Sequence, residues 1–460
     1  MHELAATFGA GTSLKIHAKL HFYAAAILAA LLLGGCETDR EQTPTGLAAK
    51  VQARPDYNVL VVSFDALRAD ALGTHGYPRD TSPNIDAFAD RSIVFESAYS
   101  AAPVTPTSFA AAFTGQYPFR VFVGWQLRDS LTLASLMRNS GYATFGIFNN
   151  VQLARQRNFD QGFEVFSARS TRDERIFGEA RDLLEAHADQ KFFGWIHFLS
   201  PHTPYEYREM SDHLAPFQEE GRFAKSTGGH YEVHNDAELK RARDLYDGEV
   251  YYADDLFRRL MNVLEELGLQ ENTIIALTAD HGEEFMDHGQ LQHNSMFEEV
   301  VRIPMMIYHP DLQQGVRTRQ PFVNIDLLPT LAALAGIEPP AVLDGIDQIN
   351  AADSERFRVV TGMTNKDRYE IMIEQSGRKL IQLCTPDFKE SLFDLNTDPG
   401  EKTDVVLDRP DVAGELFEEL QSIVMGEPCR VIADSSIGKT PEQLLNDEQI
   451  EQLKSLGYIQ

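Results

Sequence analysis

The hydrophobic and polar positions of this chain fall into two signatures. Asn58–Phe64 (NVLVVSF), apolar but for Asn58 and Ser63, and Ile274–Leu277 (IIAL) are short runs rich in branched side chains, which predict strands buried on both faces of a parallel sheet. Each run leads into a carboxylate: Asp65 directly, and Asp280 after Thr278-Ala279. Ile93–Tyr99 predicts a further strand, and the Pro-punctuated Thr81–Asp86 stretch a helix start. Leu256, Leu260 and Leu264 recur at helical spacing, which puts Tyr251 in packing and makes Asp254 a surface carboxylate on the same helix. In Ala101–Gly115 a hydroxyl-rich turn runs into small residues, with Thr105 at the N-cap and Pro106 at the first helical position. Met210–Arg243 is polar and aperiodic, a loop that forms either a lid over a site or an inert excursion. Past Ile346, Tyr369–Leu383 predicts a hairpin turning at Ser376-Gly377, and Asp411–Met425 a helix. Thr440-Pro441-Glu442-Gln443 has the cap, proline and return acceptor of a last helix start.

Strands alternating with helices predict an α/β fold, a sheet sandwiched by helices, followed by a small C-terminal α+β subdomain. The divisions expected are a leader at 1–35, a tether at 36–55, the main α/β domain at 56–346, the C-terminal subdomain at 347–430 and a helical tail at 431–460. Lys15 and Lys19 precede the apolar run Phe22–Leu33, which is shorter than the ~20 residues of a membrane-spanning helix. Leu33-Gly34-Gly35-Cys36 then resembles the lipobox of bacterial lipoproteins. That implies lipidation at Cys36, membrane attachment through the lipid alone and a periplasm-facing protein. Glu37 after the cysteine leans towards the outer membrane.

The balance of 69 acidic against 41 basic residues, net −28, disfavours nucleic acid and anionic membrane surfaces as partners of the bulk surface. An anionic substrate therefore has to be held by a local metal or local cations. Besides Cys36, only Cys384 and Cys429 remain. They pair in an oxidising compartment or stay as two buried thiols.

The candidate chemistry lies after the second strand, in Asp280-His281-Gly282-Glu283 followed by His288 and His293. Ligands in open α/β sheets bind beyond the carboxyl ends of strands, and carboxylates with imidazoles placed there are metal-ligand types. Thr105, at a helix N-terminus, is a hydroxyl that a metal and the helix dipole can ionise.

Several segments in series resemble the sulfatase family of the alkaline phosphatase superfamily. They are DALRADALGTHGYPRDTSPNIDAFADRSIVFESAYSAAPVTPTSFAAAFTGQYP, Gly141-Tyr142-Ala143-Thr144, KFFGWIHFLSPHTPYE, YDGEVYYADD, Asp280-His281-Gly282-Glu283, EEVVRIPMMIYHP and LFDLNTDPGEKTDVV. The resemblance implies an alkaline phosphatase-like fold and ester hydrolysis. It assigns a divalent metal to Asp65, Thr105, Asp280 and His281, with Thr105 as nucleophile. It puts His202 and His293 among the catalytic and substrate-contacting groups, with Arg68, Asn150 and His288 as further substrate contacts. Arg68 is equally a structural ion-pair partner. His75, His197, His213, His230 and His234 are expected to be structural or exposed.

The departures from that family bear on the substrate. Sulfatases carry Cys or Ser followed by x-Pro-x-Arg, which permits conversion to formylglycine; here the stretch reads Thr105-Pro106-Thr107-Ser108-Phe109. Ala66 replaces a second metal-binding Asp, and Gly146–Asn150 replaces a Gly-Lys-Trp-His element. These changes favour a phosphate or phosphonate ester over a sulfate ester, attacked by Thr105, on a small molecule, glycan or lipid. The mixed oxygen and nitrogen donor set favours Zn or Mn, with Ca or Mg less suited. Two other readings stand beside this one: a transferase of a phospho-headgroup to an envelope glycan or lipid, and a non-catalytic envelope binding protein.

Overall fold

The structure, a computed structural model, describes residues 46–460 apart from 170, 207, 212, 213, 215–232, 294, 352–354, 366, 367, 386, 437, 439 and 457–460. Cys36, His213, His230 and most of the predicted lid lie outside the described residues. Eight strands build the central sheet: β1 (Asn58–Asp65), β2 (Ile93–Phe95), β3 (Ala143–Phe148), β4 (Val165–Ala168), β5 (Phe192–Pro201), β6 (Thr273–Ala279), β7 (Met305–Tyr308) and β8 (Val316–Thr318). Their order across the sheet is β8-β2-β7-β6-β1-β5-β3-β4, and only β7 runs against the rest. The two apolar runs of the sequence are therefore adjacent central strands, Val59 opposite Ile274 and Phe64 opposite Ala279. Every residue of β1 and β6 is buried, as strands covered on both faces require. The predicted strand Ile93–Tyr99 is broken: β2 stops at Phe95, and Ala98–Tyr99 pairs elsewhere, with Phe322–Val323.

Helices cover both faces. Among them are α1 (Pro83–Ala89), α2 (Thr105–Thr114), α3 (Asp236–Glu266) and α4 (Pro410–Val424). In α3, Leu256, Leu260 and Leu264 are buried as their spacing predicts. The helix also takes over the end of the predicted loop. Asn235 caps it by accepting from Glu238 N at 3.0 Å, so it begins within Met210–Arg243.

Asp254 is not a surface carboxylate. It is 1% exposed and accepts from Ile85 N at 2.7 Å and Asn84 N at 3.0 Å. It therefore satisfies the first turn of α1, whose own N-cap Ser82 makes no side-chain cap bond.

The C-terminal subdomain is an antiparallel sheet of Arg358–Asn365, Arg368–Gln375, Arg378–Leu383 and Lys389–Asp394. Its predicted hairpin turns at Ser376 (φ 53°) and Gly377 (φ 82°), the left-handed pair that a two-residue turn demands. Val359, Ile371 and Leu380 join Leu416 and Leu420 of α4 in a core shared with Ala101 and Ala111, so this sheet backs the start of α2. Thr361 N donates to Ala101 O at 2.9 Å. Cys384 and Cys429 form a disulfide, closing a separation of 45 residues. In the tail, Thr440 N donates to Gln443 Oε1 at 3.1 Å as the capping pattern predicts, and Leu445 and Leu453 dock on Val151 and Ala154.

Candidate active site

The carboxyl ends of β1, β3, β5 and β6 deliver Asp65, Asn150, His202 and Asp280-His281 to one edge of the sheet. Asp65, Asp280 and His281 place one ligand atom each within 4.8 Å of one another, all buried. Ala66, in the position lacking its Asp, adopts a left-handed conformation (φ 59°) that aims its N–H at Asp280 Oδ1, 3.1 Å away. Tyr246 Oη donates to the Ala66 carbonyl at 2.8 Å and holds that kink. Gly282 is required by close approach rather than by a turn, because a Cβ there would lie 2.0 Å from Glu299 O.

Thr105 enters from α2. Val104 occupies the N-cap and Thr105 is the first helical residue, one position later than its sequence suggests. The side chain is thereby released from capping and points inward, with Oγ1 3.4 Å from His281 Nε2 and 3.5 Å from Asn150 Nδ2. Asn150 spans the site: Nδ2 also donates to Asp65 Oδ2 at 2.8 Å, while Oδ1 accepts from Gln152 N at 2.9 Å. Among the described residues, Asn150 thus acts as a brace on Asp65 and Thr105.

His281 donates from Nδ1 to Gly282 O at 2.9 Å, which turns the Nε2 lone pair inward. Nε2 stands 3.5 Å from Asp280 Oδ2 and 3.7 Å from Asp65 Oδ1. Those two carboxylate oxygens are buried without a hydrogen-bond partner. Burial raises Asp280, and repulsion from Asp65 raises it further. Burial also acts to raise Asp65, but His202, His197 and His281 outweigh it and hold this carboxyl well below the usual range. Burial depresses His281, yet Asp280 and Asp65 carry it above its ordinary value. The repulsion between Asp280 and Asp65 and the rise at His281 both mark a concentration of negative charge that favours a cation, whereas the fall at Asp65 comes from the imidazoles around it. Two orphaned carboxylate oxygens facing an imidazole lone pair fit a divalent ion.

His202 and His293 join the cluster as expected. Their rings are 5.3 Å apart, and the His293 ring is 4.2 Å from that of His281. Burial lowers the pKa of both. His202 Nδ1 donates to Thr203 O at 2.6 Å. Sequence reasoning missed two members. His197, expected to be structural, lies with Nε2 3.4 Å from Asp65 Oδ2. Glu283, fully buried, sits 3.5 Å from His293 Nδ1, and burial pushes its carboxyl up to about 7. The alternation of β5 turns His197 to the same face as Trp195, but nothing local in the sequence sets Asp65 beside it.

Two predicted contacts are not brought to the cluster. Arg68 is committed to Asp70 through Nε (2.8 Å) and Nη2 (2.6 Å), and to Glu283 O and Asp287 through Nη1. In this arrangement its guanidinium is occupied by ion pairs, the second of the two roles expected for it. His288, in the hairpin after Glu283, stacks on Phe297 at 3.5 Å between centroids and lies with Nε2 3.6 Å from Glu299 Oε2. Phe109, where the formylglycine motif carries its Arg, is buried against Phe113, Trp195 and His197, an environment without a place for a guanidinium.

The family model described as Sulfatase matches residues 57–337, and one described as N-sulphoglucosamine sulphohydrolase, C-terminal, matches 286–425. An ulvan-active sulfatase of Formosa agariphila is 26% identical over 63% of the chain. Arylsulfatase K of Bos taurus is 29% identical over 41%. The chain spans 64% of the first relative's length and 37% of the second's. The crystal structure of the phosphonate monoester hydrolase of Agrobacterium radiobacter superposes with a TM-score of 0.65 at 19% identity, covering 80% of this chain and 95% of that one.

Proposed function

The chain belongs to the sulfatase family of the alkaline phosphatase superfamily, and we propose that it is a metal-dependent ester hydrolase with Thr105 as nucleophile, preferring phosphate or phosphonate esters to sulfate esters. The observation that carries this reading is the Thr105 hydroxyl at the first turn of α2, 3.4 Å from His281 Nε2, where no formylglycine can form. Asp65, Asp280 and His281 would hold the ion, and their mixed donors suit Zn or Mn better than Ca or Mg. Bound there, the ion would lower the pKa of the Thr105 hydroxyl and neutralise charge on the ester oxygens.

The chain's own groups do the rest. Thr105 Oγ1, its proton released to water, attacks phosphorus and the bond to the leaving oxygen breaks, giving a phosphothreonine ester that water then hydrolyses, with the threonine hydroxyl reprotonated. The N-terminus of α2 favours the anionic group that Thr105 carries at that stage. Glu283, its carboxyl pushed up to about 7, carries the proton, and His293, kept neutral by burial and 3.5 Å away, relays it to the departing alkoxide; the water that hydrolyses the phosphothreonine returns a proton by the same path. His202 lines the same space and orients the ester. The Cys384–Cys429 disulfide and the lipobox-like Gly34-Gly35-Cys36 support an oxidising location outside the cytoplasm, with attachment through Cys36.

Parallel assays of 4-nitrophenyl phosphate, a phosphodiester, a phosphonate monoester, 4-nitrophenyl sulfate and a sulfated polysaccharide test the preference. The reading requires a higher kcat/KM on a phospho-ester than on either sulfate; a sulfate preference would overturn it.

A further inference from the structure

A second cluster of ligand-type side chains lies outside the Thr105 site. His288, Glu299 and Glu401 place one ligand atom each within 4.8 Å of one another. They come from three separate segments: the hairpin between Glu284–Phe285 and Leu291–Gln292, the short helix Glu298–Val301, and the stretch following the last strand of the C-terminal sheet. His288 Nε2 is 3.6 Å from Glu299 Oε2, and the histidine side chain is 9% exposed. Both of those atoms are buried without a hydrogen-bond partner. A buried imidazole nitrogen and a buried carboxylate oxygen, both unsatisfied and facing each other, are costly unless something binds between them.

The surrounding charge has the right sign for a cation. Glu401 accepts from Glu298 N at 2.8 Å through Oε2, and its Oε1 forms an ion pair with Lys379 Nζ at 2.9 Å. Lys379 also meets Glu298 Oε1 at 3.0 Å, so one ammonium is divided between two carboxylates, and Glu299 adds a third. Arg302, whose field reaches Glu298, directs Nη2 to the Glu96 carbonyl at 3.0 Å.

We propose that His288, Glu299 and Glu401 bind a divalent transition ion, of the Zn2+ or Mn2+ type that one imidazole and two carboxylates suit, separate from the ion of the Thr105 site. Its position gives it a structural task. The hairpin that carries His288 is flanked by Glu283 and His293, which contact each other at 3.5 Å, with the His293 ring 4.2 Å from that of His281. An ion at the tip ties that hairpin to the Glu298–Val301 helix and to the C-terminal subdomain, and fixes the two strand ends from which Glu283 and His293 project.

The test is metal stoichiometry after Zn2+ loading and desalting, measured by elemental analysis on the parent, Asp280→Ala, His288→Ala, Glu401→Gln and the Asp280→Ala/His288→Ala pair. Glu401→Gln keeps an acceptor for Glu298 N and guards against misfolding of the histidine variant. The proposal expects two ions in the parent, one in each single variant and none in the pair. An ion lost in His288→Ala and Glu401→Gln but kept in Asp280→Ala would uphold this site even if the Thr105 site held none. Parent and Glu401→Gln carrying the same number of ions would overturn it. Zn2+ should also raise the melting temperature of Asp280→Ala and not that of the paired variant; equal shifts would likewise overturn it.

Discussion

His197 Nε2 lies 3.4 Å from Asp65 Oδ2, at the end of a relay that starts at Trp195. Trp195 Nε1 donates to Ser63 Oγ at 2.9 Å, which leaves the hydroxyl proton for His197 Nδ1 at 3.1 Å. The imidazole proton is thereby placed on Nε2, towards the carboxylate. Asp65 turns its other oxygen, Oδ1, to the candidate metal position. Groups that orient a ligating carboxylate typically change metal affinity by ~10–100-fold. His197→Gln is expected to weaken metal binding by about that factor, read by chelator competition, with the fold intact by circular dichroism. An unchanged affinity would reduce His197 to packing.

His293 as proton donor has a consequence that depends on the leaving group. General acid catalysis contributes ~10²–10⁴-fold where the leaving oxygen needs the proton and far less where it does not. His293→Ala is expected to lose roughly that factor on an alkyl phosphate and about tenfold or less on 4-nitrophenyl phosphate. Equal losses on both would assign His293 to binding.

Asp254 ties stability to pH. Burial pushes its carboxyl from 3.8 up to about 7, against the hydrogen bonds from Asn84 and Ile85. The native state therefore holds a proton that the unfolded chain has released, and the contribution is complete below the unfolded value and fades as pH rises through about 7. Asp254→Asn, neutral throughout, is expected to flatten the decline in melting temperature between about pH 4 and 7. A parallel decline in both proteins would locate the dependence elsewhere. Asp254→Ala would leave the α1 N–H groups unmet and cost about 1–3 kcal/mol, measured by urea unfolding.

The Cys384–Cys429 bridge closes a separation of 45 residues, which loop entropy values at up to about 4 kcal/mol. Reduction, or Cys429→Ser, is expected to lower the melting temperature and to expose the C-terminal sheet first in hydrogen exchange. Protection unchanged in Arg368–Leu383 would show that the core shared with α4 suffices without it.

Much of the fold was legible because its signals are local. The apolar runs at Asn58 and Ile274, the Leu256 helix and the Ser376-Gly377 turn each announce themselves within a few residues. Asp65, Thr105, Asp280 and His281 were brought together by the resemblance of their segments to sulfatases, since a carboxylate after a strand is otherwise a turn residue and a hydroxyl at a helix start a cap. What was not legible depends on distant partners. Arg68 became an ion-pair residue only through Asp70 and Asp287, and Asp254 a helix cap only because α1 crosses α3. His197 reads as one more buried residue of β5 until β1 is set beside it. His288 shares its hairpin with His293, and no spacing rule says that the tip turns to Glu299.

The nucleophilic role of Thr105 is the point on which the account depends most. The measurement is turnover of 4-nitrophenyl phosphate by metal-loaded parent and Thr105→Ala, with acid-quenched parent digested and searched for a phosphoryl group on the peptide containing Thr105. The account predicts a phosphorylated Thr105 and a loss of roughly 10³-fold or more in Thr105→Ala. Turnover surviving in Thr105→Ala near the parent rate, with no phosphorylated Thr105, would contradict it and make water the direct nucleophile.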